Sequence, residues 1–227
     1  VQTFERNNVL VDVDPVTAGN QPETESYAYD LLGNLDYQRN PDGSVTDFTN
    51  DNMNRLTDID EYRKDANTPD VFTDNPKLAE YTYILRADGK RNSADERIYA
   101  DNGTLFSHTQ FDWTYDAAGR LTDEVFTDVG NLLADVDDYK ASYTYDLTGN
   151  RHQKSVINDT NHDGIFNAAV DRDEVTTYTN DANDRMLSES TVVDGAATES
   201  TAYGFTGTQQ TSKTVSPAAG SPLSGVS

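Results

Sequence analysis

Trp113-Thr114-Tyr115-Asp116-Ala117-Ala118-Gly119-Arg120-Leu121 decides the fold, because the chain writes the same phrase again elsewhere. It recurs as Tyr27-Ala28-Tyr29-Asp30-Leu31-Leu32-Gly33-Asn34-Leu35 and as Tyr143-Thr144-Tyr145-Asp146-Leu147-Thr148-Gly149-Asn150-Arg151. The shared unit is aromatic-x-aromatic-Asp-x-x-Gly-[Asn/Arg]-[Leu/Arg]. Residues two apart share one face of a strand, so each unit sets two rings side by side. The Asp accepts hydrogen bonds from nearby backbone N–H groups and starts a turn. The Gly three residues on supplies a positive φ, and an extended strand resumes after it. One unit therefore reads as one β-hairpin.

Four degenerate copies fill the gaps. Phe48-Thr49-Asn50-Asp51-Asn52-Met53-Asn54-Arg55-Leu56 and Tyr178-Thr179-Asn180-Asp181-Ala182-Asn183-Asp184-Arg185-Met186 keep the Asp but replace the Gly. The third copy begins Tyr81-Thr82-Tyr83 and turns late, at Asp88-Gly89-Lys90-Arg91. The seventh, Tyr203-Gly204-Phe205-Thr206-Gly207-Thr208, has lost the Asp. All seven keep the first aromatic and five keep the second, which identifies a repeat array. Turns for the opposite ends of the hairpins are expected at Asn40-Pro41-Asp42-Gly43, Asp101-Asn102-Gly103, Val129-Gly130-Asn131 and Val193-Asp194-Gly195. Surplus residues at Asp58 to Pro76, Arg91 to Gly103 and Asn158 to Glu174 are expected to project as polar insertions. Residues 21–213 thus hold seven hairpins, preceded by a strand or linker over 1–20 and followed by a Pro/Ser/Gly-rich tail over 214–227.

Composition agrees with an all-β chain. Only 35% of residues are hydrophobic, yet 10% are aromatic, where disordered chains are poor in rings. The net charge of −23 excludes nucleic acid, which needs a basic face, and an anionic membrane surface. Thirty of the 40 acidic residues are Asp, the residue of turns and calcium loops. With no Cys there is neither a disulfide nor a thiolate metal site. No apolar run is long enough to span a membrane as a helix. The start, Val1-Gln2-Thr3-Phe4-Glu5-Arg6, carries no signal-peptide pattern, so a fragment of a longer protein is expected.

The repeat resembles the YD repeats of the Rhs family, on Tyr29-Asp30…Gly33-Asn34, Tyr115-Asp116…Gly119-Arg120-Leu121 and Tyr145-Asp146…Gly149-Asn150-Arg151. That family includes Tc-toxin cocoon subunits, Rhs effectors and teneurins. The resemblance implies successive antiparallel hairpins joined into a continuous sheet that spirals into a shell or barrel-like solenoid. It implies a non-enzymatic scaffold that encloses cargo or presents an adhesive surface, outside the cell or at its surface. Family shells often end in a plug with an Asp-Pro-x-Gly-like motif and an aspartate-dependent cleavage site. Nothing here matches it, since the one Asp-Pro, Asp14-Pro15, stands at the other end. Self-cleavage is therefore not carried over. A partial strip leaves open strand edges, which neighbouring repeats of a longer chain, further copies of this chain or the charged insertions would cover.

The sharpest local motif runs from Asp159 to Asp173. Asp159, Asn161 and Asp163 place oxygens at positions 1, 3 and 5 of an EF-hand-like loop, Gly164 fills position 6 and Ile165 offers its carbonyl. Position 12 is Val170, so Asp171 or Asp173 has to close a calcium site; the alternative is a polar hairpin loop without metal. Asp58, Asp60 and Glu61, and Asp135, Asp137 and Asp138, read as solvated acidic faces. His108, His152 and His162 stand singly, and no nucleophile motif or paired carboxylate stands out, so no active site is read. The rings are expected to stack from repeat to repeat as a core, with a glycan-binding surface as the competing reading. Three roles compete: a shell or scaffold segment, a self-assembling adhesion module, and a carbohydrate- or protein-binding surface.

Overall fold

The computed structural model describes residues 3–4, 9–12, 23–64, 72–130, 132–133 and 136–217. Asp14-Pro15, Asn131, Asp135, residues 65–71 of the first expected insertion and the tail from residue 218 lie outside the described residues. Strands β1 (Thr3–Phe4), β2 (Val9–Asp12), β3 (Glu23–Tyr29), β4 (Leu35–Arg39), β5 (Val45–Asn50) and β6 (Leu56–Tyr62) come first. A short 3-10 turn at Phe72–Asp74 precedes β7 (Lys77–Leu85), β8 (Arg91–Tyr99) and β9 (Leu105–Tyr115). Then follow β10 (Leu121–Asp128), β11 (Tyr139–Tyr145), β12 (Arg151–Asn158) and β13 (Arg172–Asn180). Strands β14 (Met186–Val193), β15 (Ala196–Thr206) and β16 (Gln209–Pro217) are the last among the described residues.

Each strand hydrogen-bonds the next in chain order, giving an antiparallel, all-β succession of 16 strands. Every copy of the repeat is a hairpin turn, joining β3 to β4, β5 to β6, and so on to β15 and β16. At the three clearest copies the Gly is left-handed, with φ of 89° at Gly33, 77° at Gly119 and 100° at Gly149. A bulge follows the turn in the register at Ala28/Tyr29, Thr49/Asn50, Ile84/Leu85, Thr144/Tyr145, Thr179/Asn180 and Gly204/Phe205. A three-residue loop ending in a left-handed residue and a bulge keeps the twist of the two strands matched. Three of the expected opposite turns stand where their Gly residues place them, with positive φ at Gly43, Gly103 and Gly195; the fourth includes Asn131, outside the described residues.

Two expectations need correction. Arg91 to Gly103 is not a projecting insertion: Arg91–Tyr99 is strand β8, and a tight turn follows it. Its charged residues pair with one another and with the flanking strands, Arg97 with Asp95 at 2.9 Å and Asp95 with His108 at 2.9 Å. Thr214–Pro217 is not linker either, since it continues β16 and pairs with Glu199–Ala202 of β15.

The chain forms two compact units that divide within β9, one of residues 1–110 and 128–134, the other of residues 111–127 and 135–227. In the first, Val45 and Tyr62 are cross-strand partners and both are buried, with Ala79 and Ala94. Phe72, delivered by the 3-10 turn, rests against Tyr37 and Tyr62 with ring centroids 5.2 and 5.6 Å away. In the second, Phe126 packs on Phe111 at 5.2 Å and on Tyr139 at 5.3 Å, and Phe111 stacks on Trp113. Trp113 Nε1 and the Tyr139 hydroxyl both donate to Glu124, each at 2.8 Å.

Candidate functional site

In five of the seven copies the repeat Asp is occupied by its own turn. Asp30 Oδ1 accepts from the N–H groups of Leu32 (2.9 Å) and Asn34 (2.8 Å). Asp116 Oδ1 does the same for Ala118 and Arg120, Asp146 for Thr148 and Asn150, Asp51 for Met53 and Arg55, and Asp181 for Asn183 and Arg185. The second carboxylate oxygen takes the side chain of the residue after the turn: Asn34 (2.8 Å), Arg55 (2.8 Å), Arg120 (2.7 Å) and Arg185 (2.7 Å). These partners hold all five carboxyls below the ordinary range. The main cause is the Asn34 amide at Asp30, the Arg55 guanidinium at Asp51 and the Arg120 backbone N–H at Asp116. At Asp146 it is the Thr148 hydroxyl, and at Asp181 the Arg185 guanidinium. Such acids are acceptors fixed in place rather than proton donors.

The [Asn/Arg] position does a second job that the sequence reading missed. Within the first unit, Asn34 Nδ2 reaches Asn54 Oδ1 of the next turn at 3.2 Å, and Arg55 Nη1 reaches the Arg86 carbonyl at 2.6 Å. Within the second, Arg120 lies over the Tyr145 ring at 4.5 Å, Asn150 Nδ2 meets Asp184 Oδ1 at 2.8 Å, and Arg185 donates to the Gly207 carbonyl. Within each unit, one hairpin thereby clasps the next along one rim. Where the reaching residue is the short Asn, the following turn carries Asn54 or Asp184 at its left-handed position, with φ of 58° and 60°. Where it is the long Arg, the following turn carries Gly89, Gly149 or Gly207. The departures from Gly in copies two and six are thus matched to their neighbours, a covariation that could have been read from the aligned copies.

Several of the repeat rings meet cations. Arg91 lies over Tyr83 (4.1 Å), Arg151 over Tyr143 (5.0 Å) and Tyr178 (5.9 Å), Arg185 over Phe205 (4.8 Å) and Lys213 over Tyr203 (5.8 Å). A cation on a ring face is attracted by the ring quadrupole and takes the place where a sugar would stack. At the last motif position, Arg91 and Arg151 thus each cover a ring.

The histidines take separate places. His108 Nε2 lies 2.9 Å from Asp95 Oδ2, which Gln110 also reaches at 2.7 Å. Burial is the largest influence on Asp95 and raises its pKa; hydrogen bonds from His108 and Gln110 and the charge of Arg97 outweigh it and hold the group low. His152 falls within the bulge of β12, and His162 Nε2 lies 3.4 Å from Asp137. Asp58, Asp60 and Glu61 lie in β6, where Lys77 holds Asp60 at 3.0 Å. Asp138 accepts Asp159 N–H on its carbonyl.

The expected calcium ligands lie on the loop between β12 and β13 and at its margin. The last strand pair is Asn158 with Arg172, so Asp159 and Asp171 stand at the two ends of the loop beside it. Asp159 is 1% exposed and Asp171 5%. Asp159 Oδ1 accepts Asp163 N–H (3.1 Å) and Oδ2 accepts Gly164 N–H (2.7 Å). Asn161 Oδ1 accepts Asp163 N–H (2.9 Å), and Asp163 Oδ1 accepts Ile165 N–H (2.8 Å). Asp173 stands apart: it belongs to β13, opposite Ile157, and accepts the Ser155 hydroxyl at 3.3 Å. Among the described residues no three acidic or histidine side chains converge on one point.

Among the described residues no helix is long and apolar enough to cross a membrane. No protein-family model and no curated protein matches the chain. Solved structures similar to it include the crystal structure of TcdB2-TccC3-TEV, at 13% identity over 94% of this chain with a TM-score of 0.29. The Photorhabdus luminescens Tc holotoxin pore is similar over 95% of it at 13% identity, TM-score 0.24. A porin-like protein from Bacteroides uniformis is similar at 12% identity over 91% of this chain and 93% of its own, TM-score 0.32. The chain spans 15% of the first of these and 16% of the second, so what it matches there is a small part of a much longer polypeptide.

Proposed function

We propose that this chain is a non-enzymatic scaffold strip of an extracellular or surface protein, continued at its edge by a further strand. That strand comes from neighbouring repeats of a longer chain or from a second copy, and the completed sheet encloses or presents something else. The observation that carries this reading is strand β16. Its residues Gln209–Pro217 contain no acid in a chain of net charge −23, and its side chains are exposed almost throughout. Among the described residues it has a strand neighbour on one side only, β15. Edges of soluble sheets are usually blunted by charge, Pro or a bulge in mid-strand. Here Lys213, the terminal Pro217 and a bulge at Thr211, close to the turn, are the only such features along a nine-residue strand.

The repeat residues support the same role, because their carboxylates and guanidinium groups are engaged in turns and clasps. Hydrogen exchange on the isolated chain tests it. The β16 amides that point away from β15 should exchange fast in dilute solution and gain protection as the concentration rises. Fast exchange of those amides at every concentration would overturn the reading.

A further inference from the structure

We propose that β16 takes β16 of a second copy of this chain as its next strand, the two running antiparallel about a two-fold axis at Thr214. The pairing rests on the scaffold reading and names which of its two sources supplies the strand. The reason lies in the turn before β16. In six of the seven repeat turns the left-handed residue is followed by a long or amide side chain: Asn34, Arg55, Lys90, Arg120, Asn150 or Arg185. Five of these, all but Lys90, reach the next hairpin. In the seventh turn Gly207 is left-handed, with φ of 61°, and Thr208 follows it. Gly207 receives the clasp of Arg185 on its carbonyl, but this turn has no Asp and no Asn or Arg to pass a clasp on. A further hairpin of the same kind has nothing there to hold it. What β16 offers is its backbone edge.

The strand also fixes the register. Near its start lies the bulge at Thr211, where Gly204 faces Ser212 and Phe205 faces Gln210. At its end stands Pro217, which has no N–H to donate. Residues 212–216 between them pair regularly with β15, and Thr214 is their centre. Their side chains are exposed, so nothing packed on the strand blocks an approach. Pairing this stretch with itself sets Thr214 opposite Thr214, Lys213 opposite Val215 and Ser212 opposite Ser216. Thr and Ser pairs across strands stabilise a ladder, and like charges directly opposite weaken it. A two-fold axis at Lys213 would bring two ammonium groups face to face, whereas an axis at Thr214 offsets them. Lys213 is in any case turned back over the ring of Tyr203, its partner in β15, with Nζ 5.8 Å from the centroid. Two chains of net charge −23 repel each other, and an acid-free strand lets them pair without setting acid against acid along the ladder. An edge that pairs with its own copy is isologous and closes at two subunits.

The test is disulfide trapping, for which the absence of Cys makes a single introduced thiol a clean probe. Facing Cα atoms of an antiparallel pair lie about 4.5–5.5 Å apart, inside the roughly 4.4–6.8 Å that a disulfide spans. Under air oxidation, Thr214→Cys should form a cross-linked species of twice 25.1 kDa. It should do so at least about tenfold faster than Gln209→Cys, whose opposite position falls outside the paired stretch. Adding Thr211→Lys and Val215→Lys to Thr214→Cys should suppress the cross-link. Light scattering on the unmodified chain should level off at the dimer mass. Equal cross-linking of the two Cys variants, or growth past the dimer, would overturn the two-fold pairing and leave the scaffold reading standing. A monomer at every concentration would overturn both.

Discussion

The matched clasp between Asn150 and Asp184 can be rewritten by design. Asp184 holds φ of 60°, a conformation that costs most L-residues about 1–2 kcal/mol and Asp somewhat less. Asp184→Gly removes that cost but frees the unfolded chain by about 0.4–1 kcal/mol. It also deletes the 2.8 Å bond from Asn150, a loss of about 0.5–1.5 kcal/mol. The three nearly cancel, so the single change should move stability by no more than about 1 kcal/mol. Asn150→Arg alone should gain little. Together they recreate the Arg-then-Gly pairing of Arg120 with Gly149, and the pair should be more stable than the sum of the singles by about 0.5–1 kcal/mol. The assay is a double-mutant cycle by denaturant unfolding, followed through the second unit. Additivity within about 0.3 kcal/mol would refute the idea that the two positions are matched.

Phe126→Ala should cost about 3 kcal/mol, because it removes the ring joining Phe111 to Tyr139; chemical denaturation of the second unit measures it. Glu124→Ala leaves Trp113 Nε1 and the Tyr139 hydroxyl without their shared acceptor, and should cost about 2 kcal/mol and shift the emission of the one Trp. The turn carboxyls have folded pKa values below their unfolded ones, so their stabilisation is present above about pH 4 and is lost as pH falls through the folded values. Wild type should therefore exceed the Asp51→Asn, Asp116→Asn double variant in Tm at neutral pH, with the gap closing in acid.

Much of the fold is legible in the chain because Asp, Gly and the ring pair recur at fixed offsets, and each has one local job. Strand β8 was not legible: Arg91, Asp95, Glu96 and Arg97 look like a solvated loop until Glu80 and His108 are seen on the flanking strands. The clasp formed by Asn34, Arg55, Asn150 and Arg185 depends on which turns lie side by side, a fact the sequence holds only once the hairpins are in register. At the candidate calcium loop, the spacing of Asp159, Asn161 and Asp163 was plain. That Asp171 ends the loop while Asp173 belongs to β13 depended on where β13 begins, a boundary set by pairing with β12.

The solution mass of the isolated chain tests the scaffold reading most directly. An exposed, acid-free β16 should drive association, so light scattering should give a mass above 25.1 kDa that rises with concentration. Placing charge on the edge strand with Thr211→Lys and Val215→Lys should return it to the monomer. A mass of 25.1 kDa at every concentration, unchanged in the double variant, would contradict the account.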